Sequence, residues 1–109
     1  MAVEITQGES WPVEIDILLN GQALTGADVA DVEVSIGEFL TKSCSEGGVE
    51  FNEELGCWQM TPTQKETMSL PEGYHKVQIR VKYKNDPAHL HTRPAGMIRV
   101  IRGFSREEI

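Results

Sequence analysis

His89 and His91 have the spacing in this sequence that most resembles a metal-binding pair. Residues two apart on a β-strand point to the same face, so both imidazoles would reach one zinc or nickel ion. A complete site needs a third ligand, for which His75, Asp86 and Cys44 are the candidates. Because turn-forming residues flank the pair on both sides, we favour two solvated histidines on a hairpin and expect no metal or other cofactor.

The remaining nucleophiles and carboxylates do not form a recognisable catalytic pattern. Ser43 and Ser45 flank Cys44, but no histidine and acid complete a triad, and no Gly-x-Ser-x-Gly elbow is present. The acidic residues around the Gly47-Gly48 turn do not have the spacing of an EF-hand calcium loop. We therefore expect a protein that is not an enzyme, with a small metal-dependent enzyme using His89 and His91 as the weaker alternative.

Charge is divided unevenly along the chain. The net charge is −7, which disfavours binding to a nucleic-acid backbone. Residues 1–60 contain 12 acids and a single basic residue, Lys42, whereas residues 61–109 contain 9 basic residues and 5 acids. This division suits pairing of strands from opposite halves of one chain, which we favour, and it also suits head-to-tail association of copies.

A row of basic residues alternates with apolar residues after position 75: Lys76, Arg80, Lys82 and Lys84. The row is either a surface for an anionic partner or the solvated face of an amphipathic strand, opposite Glu14, Asp16 or Glu33. We favour the solvated face. No aromatic residues are interleaved with the basic ones, so the row lacks a stacking platform for single-stranded nucleic acid.

The two tryptophans occupy different sequence contexts. Trp58 shares an alternating register with Met60 and is expected in the core. Trp11 precedes Pro12, outside the strand pattern, and is expected at an end or at an interface, where an exposed tryptophan anchors a partner. Trp11 and the basic row are therefore the candidate interface residues.

Apolar residues recur with a period of two, which predicts strands around Val13–Leu19, Val32–Ile36, Val77–Tyr83 and several shorter segments. About seven or eight short strands separated by turns indicate an antiparallel all-β sandwich or barrel, as one domain over residues 1–109. The predicted core contains Val13, Ile15, Ile17, Val34, Trp58, Met60, Leu70, Val77, Ile79 and Val81.

One short helix interrupts this pattern, near residues 62–69. Either Thr61 caps it, with Pro62 in the first turn, or Thr63 and Glu66 form a capping box two residues later. A strand, a helix and a strand in this order predict a crossover from one sheet to the other.

The sequence shows no targeting signal and no apolar run near the ~18 residues that a membrane span needs. We therefore expect a cytoplasmic protein during synthesis, with no membrane partner. Two cysteines without a CxxC pattern predict free, partly buried thiols rather than a disulfide or zinc site.

Residues 58–81 read W-x-M-T-P-T-Q-x-E-T-M-x-L-P-E-G-x-x-x-V-Q-I-R-V. This segment resembles small structural proteins from phages and prophages of Gram-positive bacteria. Residues 20–27 resemble a segment shared by that group and by the N-terminal domains of phage baseplate upper proteins. The resemblance implies an immunoglobulin-like β-sandwich and a non-catalytic structural or assembly role in the head, tail or baseplate. It also implies a virion location, with other phage structural proteins or copies of the chain as partners, including a homo-oligomer. A carbohydrate- or peptide-binding sandwich module is the alternative.

Overall fold

Alternation of apolar and polar residues produces a mostly β structure, as predicted. The computed structural model describes residues 3–19, 21–86, 90–104 and 107. Its elements are β1 Val3–Thr6, β2 Val13–Ile15, β3 Leu18–Leu19, β4 Gln22–Ala23, β5 Val29–Ile36, β6 Leu40–Ser43, β7 Val49–Asn52, β8 Cys57–Met60, α1 Gln64–Ser69, β9 Gly73–Tyr83 and β10 Leu90–Ile101.

The strands form two larger sheets and one small pair. A curled five-stranded sheet has the order β1-β10-β9-β5-β6, a three-stranded sheet has the order β2-β8-β7, and β3 pairs with β4. The prediction of a purely antiparallel fold is wrong at one pair, because β1 runs parallel to β10 and makes the larger sheet mixed. A parallel pair needs a long connection, and here nearly the whole chain separates the two strands.

The strands are also more numerous, in the described part of the chain, than the sequence predicts. The apolar run at residues 13–19 breaks at Asp16-Ile17 and gives β2 and β3 in place of one strand. By contrast, residues 90–101 form one continuous strand, β10, with a bulge between Pro94 and Gly96. Pro94 is tolerated because β1 pairs with β10 only from Ile98 onward, so β10 is an edge strand at the proline.

All ten predicted core residues are buried, and they belong to one cluster that draws on both larger sheets. Trp58 is 1% exposed, and its indole N–H donates to the carbonyl of Leu24 at 3.0 Å. Its ring packs edge-on against Phe51, with 5.3 Å between the ring centroids. Trp58 therefore satisfies its polar atom inside the core and fixes the Leu24 segment over it.

Helix α1 begins with the second of the two capping patterns. The Thr63 hydroxyl accepts the Glu66 backbone N–H at 3.1 Å, and the Glu66 carboxylate accepts the Thr63 N–H at 2.8 Å. The helix connects β8 in the three-stranded sheet to β9 in the five-stranded sheet, so the predicted crossover is confirmed. Lys42 on β6 also reaches Glu66 at 2.6 Å and ties the helix to the larger sheet.

Candidate docking groove between the edge strands

A groove lies where the chain passes from one sheet to the other, between β1 and β2. Each of these strands is an edge of its sheet, so its outer side has no neighbouring strand in the described structure. The volume of the groove is about 440 Å³. Its apolar lining is formed by Val3, Ile5, Trp11, Pro12 and Val13, and its acidic residues are Glu4, Glu9, Glu14 and Asp16. We call this feature the edge groove.

Helix α1 positions the loop that carries Trp11 into the edge groove. The buried hydroxyl of Thr67 donates to the Glu9 carbonyl at 2.7 Å and accepts the Gly8 N–H at 3.0 Å. Thr67 is fully buried at the middle of a short helix, and its hydroxyl makes two hydrogen bonds to the loop and one to the helix. The loop backbone is thereby held at two successive residues.

Two further hydrogen bonds fix the ends of the same loop. The Gln7 side-chain amide donates to the Leu70 carbonyl at 2.8 Å, and the Ser10 hydroxyl donates to the Pro62 carbonyl at 2.9 Å. Leu70 and Pro62 lie on either side of α1. The loop therefore runs along the whole helix, and the next residue in the chain is Trp11.

Trp11 is 71% exposed, in contrast to the buried Trp58. Val3, across the edge groove, is 42% exposed. A large aromatic side chain left in water on a hydrogen-bonded loop is the kind of residue that supplies most of the energy of a protein interface. The prediction that Trp11 lies outside the core is confirmed.

The electrostatic character of the edge groove is acidic. Glu4 has a weak ion pair with Arg99, at 3.6 Å. Within the described ranges, Glu14 and Asp16 have no ion-pair partner. Glu14 lies opposite Gln59 of β8, in the three-stranded sheet. Of the three acids expected opposite the basic row, Glu14 and Asp16 therefore do not meet it, because β2 and β9 belong to different sheets.

The basic row lies on the outer face of the five-stranded sheet. Arg80 pairs with Glu33 of β5 at 3.1 Å, which confirms that one predicted contact. Lys76 and Lys82 are exposed and have no carboxylate within ion-pair distance in the portion of the chain that is described. Lys84 follows the end of β9 and lines a separate cleft, so it does not belong to this face.

Three more residues on the outer face of the five-stranded sheet were not predicted from the sequence. Arg99 of β10 lies opposite Tyr74 of β9, and its guanidinium is 5.9 Å from the centre of that ring. Tyr74 is 62% exposed and Met97, opposite Lys76, is 43% exposed. The alternation of Met97 and Arg99 with the apolar Ile98 and Val100 is the sequence pattern that could have placed these two residues on the outer face. We call Lys76, Lys82 and Arg99, together with Tyr74 and Met97, the basic face.

The histidines do not assemble into a metal centre in the part of the structure that can be described. His89 lies outside the described residues, and the His91 ring packs edge-on against Tyr83 at 5.3 Å. His75 lies near the opposite end of β9, with Nε2 2.6 Å from the Pro71 carbonyl and its ring 5.2 Å from that of Phe39. Among the described residues, no three His, Cys, Asp or Glu side chains are grouped to hold a metal ion.

Both cysteines are free thiols, with Cys57 buried and Cys44 partly buried. Burial raises the pKa of Cys57, and the nearby charges of Glu14 and Asp16 raise it further. Burial likewise raises the pKa of Cys44, with smaller contributions from Asp31 and Glu50. Since the thiolate is the reactive form, neither residue has the environment of an activated nucleophile.

A second cleft, of about 420 Å³, lies at the end of β9 and is lined by Asp28, Tyr83 and Lys84 among others. The hydroxyl of Tyr83 is buried there, without a hydrogen-bond partner among the residues that the structure describes. Burial raises the pKa of Tyr83, the Arg93 charge lowers it and the Asp28 charge raises it, and the net shift is upward.

Comparison with protein-family models, with curated proteins and with solved structures gave no match to this chain. No helix in the described residues is long and apolar enough to cross a membrane. The case for a function therefore depends on the surfaces of the molecule.

Proposed function

We propose that this protein is a non-catalytic structural or assembly component that acts by protein–protein docking at the edge groove. The observation that carries the proposal is Trp11, an exposed tryptophan on a loop that four hydrogen bonds hold against α1. Because the loop backbone before Trp11 is already held, less conformational entropy is lost when a partner buries this residue, which favours binding.

The two edge strands support the same proposal. An edge strand offers unpaired backbone N–H and C=O groups, which proteins commonly cover or use to bind an extended segment of a partner. The edge groove places two such edges, β1 and β2, around an apolar lining.

The resemblance of residues 58–81 to phage and prophage structural proteins favours a particle component, in the head, tail or baseplate, located in the virion after assembly. We accordingly propose that the two sheets form an immunoglobulin-like sandwich. The two packed sheets and the helical crossover at α1 are compatible with that architecture.

A carbohydrate-binding module is less well supported. Such modules present exposed aromatic rings along one sheet, whereas Tyr74 is the one aromatic side chain on the outer face of the five-stranded sheet within the described ranges. Trp11 lies in the edge groove, away from that face.

Site-specific photo-cross-linking tests the docking proposal. A benzoylphenylalanine residue replaces Trp11 in the cells that naturally produce the chain, and a matched variant carries it at Leu55, which is 60% exposed in the turn between β7 and β8. We expect the Trp11 position alone to cross-link to one protein, identified by mass spectrometry as a particle component or a second copy. Equal cross-linking at both positions, or none at Trp11, would overturn the proposal.

A further inference from the structure

We infer that the partner in the edge groove is a second copy of this chain, docked through its basic face. This inference rests on the proposed docking function and names the occupant. Its basis is the complementarity of two surfaces that one molecule carries and that the described structure leaves uncovered.

The two surfaces have opposite charge. As far as the described ranges extend, the edge groove has Glu14 and Asp16 without ion-pair partners, and the basic face has Lys76 without one. Lys82 of the basic face lies opposite Asp31 of β5 but makes no ion pair with it. Opposite potentials on two docking surfaces accelerate association and select the correct partner. The uneven distribution of charge along the sequence is thereby expressed as two patches, which adjoin at the Glu4–Arg99 ion pair.

The two surfaces also have exposed apolar side chains. Trp11 and Val3 are 71% and 42% exposed in the edge groove, and Tyr74 and Met97 are 62% and 43% exposed on the basic face. An apolar centre with charged residues around it is the usual anatomy of a protein interface. In this pair, each surface supplies the charge that the other lacks.

Within one copy the two surfaces meet at the Glu4–Arg99 ion pair, and their other charged residues stay unpaired in the described ranges. The edge groove opens beside β1 at the margin of the five-stranded sheet, whereas the basic face covers the outside of β9 and β10 in the same sheet. A stable contact buries about 800 Å² on each partner, and the total accessible surface is 7231 Å². One copy therefore has room for both contacts at once, in a closed pair or in a longer series.

Paired charge reversals test the inference directly. The groove variant is Glu14→Lys with Asp16→Lys, and the face variant is Lys76→Glu with Lys82→Glu. All four side chains are exposed, so the fold is expected to persist, which circular dichroism checks. A matched control for the groove variant, Glu53→Lys with Glu54→Lys, makes the same change in net charge in an exposed turn away from both surfaces.

Sedimentation equilibrium at low salt measures self-association of the purified full chain. We expect the wild type and the control to associate, and each reversed variant alone to have a Kd raised more than about tenfold. An equimolar mixture of the groove and face variants should recover association, since each groove then meets a face of opposite charge. A chain carrying all four reversals should associate with itself and not with the wild type.

A wild type that stays monomeric at millimolar concentration, or a groove variant that associates as the wild type does, would overturn the inference. Failure to recover association in the mixture would also overturn it. The proposed function is tested separately by cross-linking at Trp11. Cross-linking to a different protein would support docking at the edge groove but would exclude a second copy as the occupant.

Discussion

The hydroxyl of Thr67 lies 2.7 Å from the carbonyl oxygen of Glu9, across 58 positions of sequence. Through this contact the short helix that connects the two sheets also determines where the loop before β2 runs. A helix of six residues has little stability of its own in water. Its persistence depends on such tertiary contacts, and the position of Trp11 depends on the helix.

Replacing Thr67 with valine tests this dependence. Valine retains the buried volume but leaves the Gly8 N–H and the Glu9 carbonyl without their partner, so we expect the free energy of unfolding to fall by about 1–3 kcal/mol. Urea denaturation measures the loss, and hydrogen exchange should show faster exchange at Gly8. Ser69→Ala on the same helix removes only an exposed hydroxyl contact and should change stability by less than about 0.5 kcal/mol. An equal effect of the two variants would contradict this account.

The ion pair of Lys42 with Glu66 predicts a pH dependence. Partial burial raises the pKa of Glu66, but the hydrogen bonds from Lys42 and from the Thr63 backbone, with the Lys42 charge, bring that pKa below its ordinary value of 4.5. A lowered folded-state pKa stabilises the protein above the unfolded value, and this contribution disappears as the pH falls through the folded value.

Glu66→Gln isolates the charge, because glutamine still completes the capping box. We expect the wild type to be more stable than the variant by about 0.5–1 kcal/mol at neutral pH. The difference should shrink below pH 4.5 and should be smaller in a Lys42→Met background, where only the hydrogen bonds from Thr63 still lower the pKa of Glu66. Denaturation curves across this pH range measure it, and a difference that grows on acidification would show that the sign is wrong.

Local patterns were sufficient to predict much of the fold. The alternation around Val77–Val81 and the capping box of Thr63 with Glu66 are decided by residues close in sequence. The parallel pairing of β1 with β10 cannot be predicted from local patterns, because it joins opposite ends of the chain and no residue near either strand in sequence specifies it.

The candidate site was only partly predictable for the same reason. Trp11 was marked as exposed by its position outside the strand pattern, but its acidic neighbours Glu9 and Asp16 meet only because the chain changes sheets between β1 and β2. Alternation along single strands left Glu14, Asp16 and Glu33 as alternatives opposite the basic row, because it does not specify which strands share a sheet.

The different environments of the two tryptophans predict distinct fluorescence quenching. Trp11 lies among carboxylates, so caesium ions should quench its fluorescence more strongly than iodide does. The Trp11→Phe variant should lose most of the fluorescence that is accessible to quenchers.

The two tryptophans should also differ in their contribution to stability. Trp11→Ala should change the free energy of unfolding by less than about 0.5 kcal/mol. Trp58→Phe, which loses the bond to Leu24 and leaves a cavity, should cost about 2 kcal/mol or more. Comparable losses for Trp11 and Trp58 variants would contradict the assigned positions.

Tyr83→Phe is expected to stabilise the protein. It removes a buried hydroxyl that has no hydrogen-bond partner, so we expect a gain of about 1 kcal/mol by urea denaturation. Because the pKa of Tyr83 is raised in the folded state, the wild type should also lose stability as the pH rises above 10, and the variant should lose less. Tyr74→Phe, at an exposed position, serves as the control and should be close to neutral at pH 7.

Gly103→Ala should loosen the edge strand β1. A Cβ atom at this position would lie 2.2 Å from the carbonyl oxygen of Gln7, a backbone atom that cannot move without displacing the end of β1. The same approach allows the Gly103 N–H to reach the Gln7 side chain at 3.3 Å, and Gln7 in turn donates to the Leu70 carbonyl beside α1. We therefore expect the substitution to destabilise the fold and to increase hydrogen exchange in Val3–Thr6.

Gly47→Ala is the control for this prediction. At Gly47 the added Cβ would meet open space but the backbone φ is +81°, so this variant separates the effect of close contact from that of backbone strain. It should cost stability without changing exchange in β1, and faster exchange in β1 in both variants would argue against contact with Gln7 as the cause.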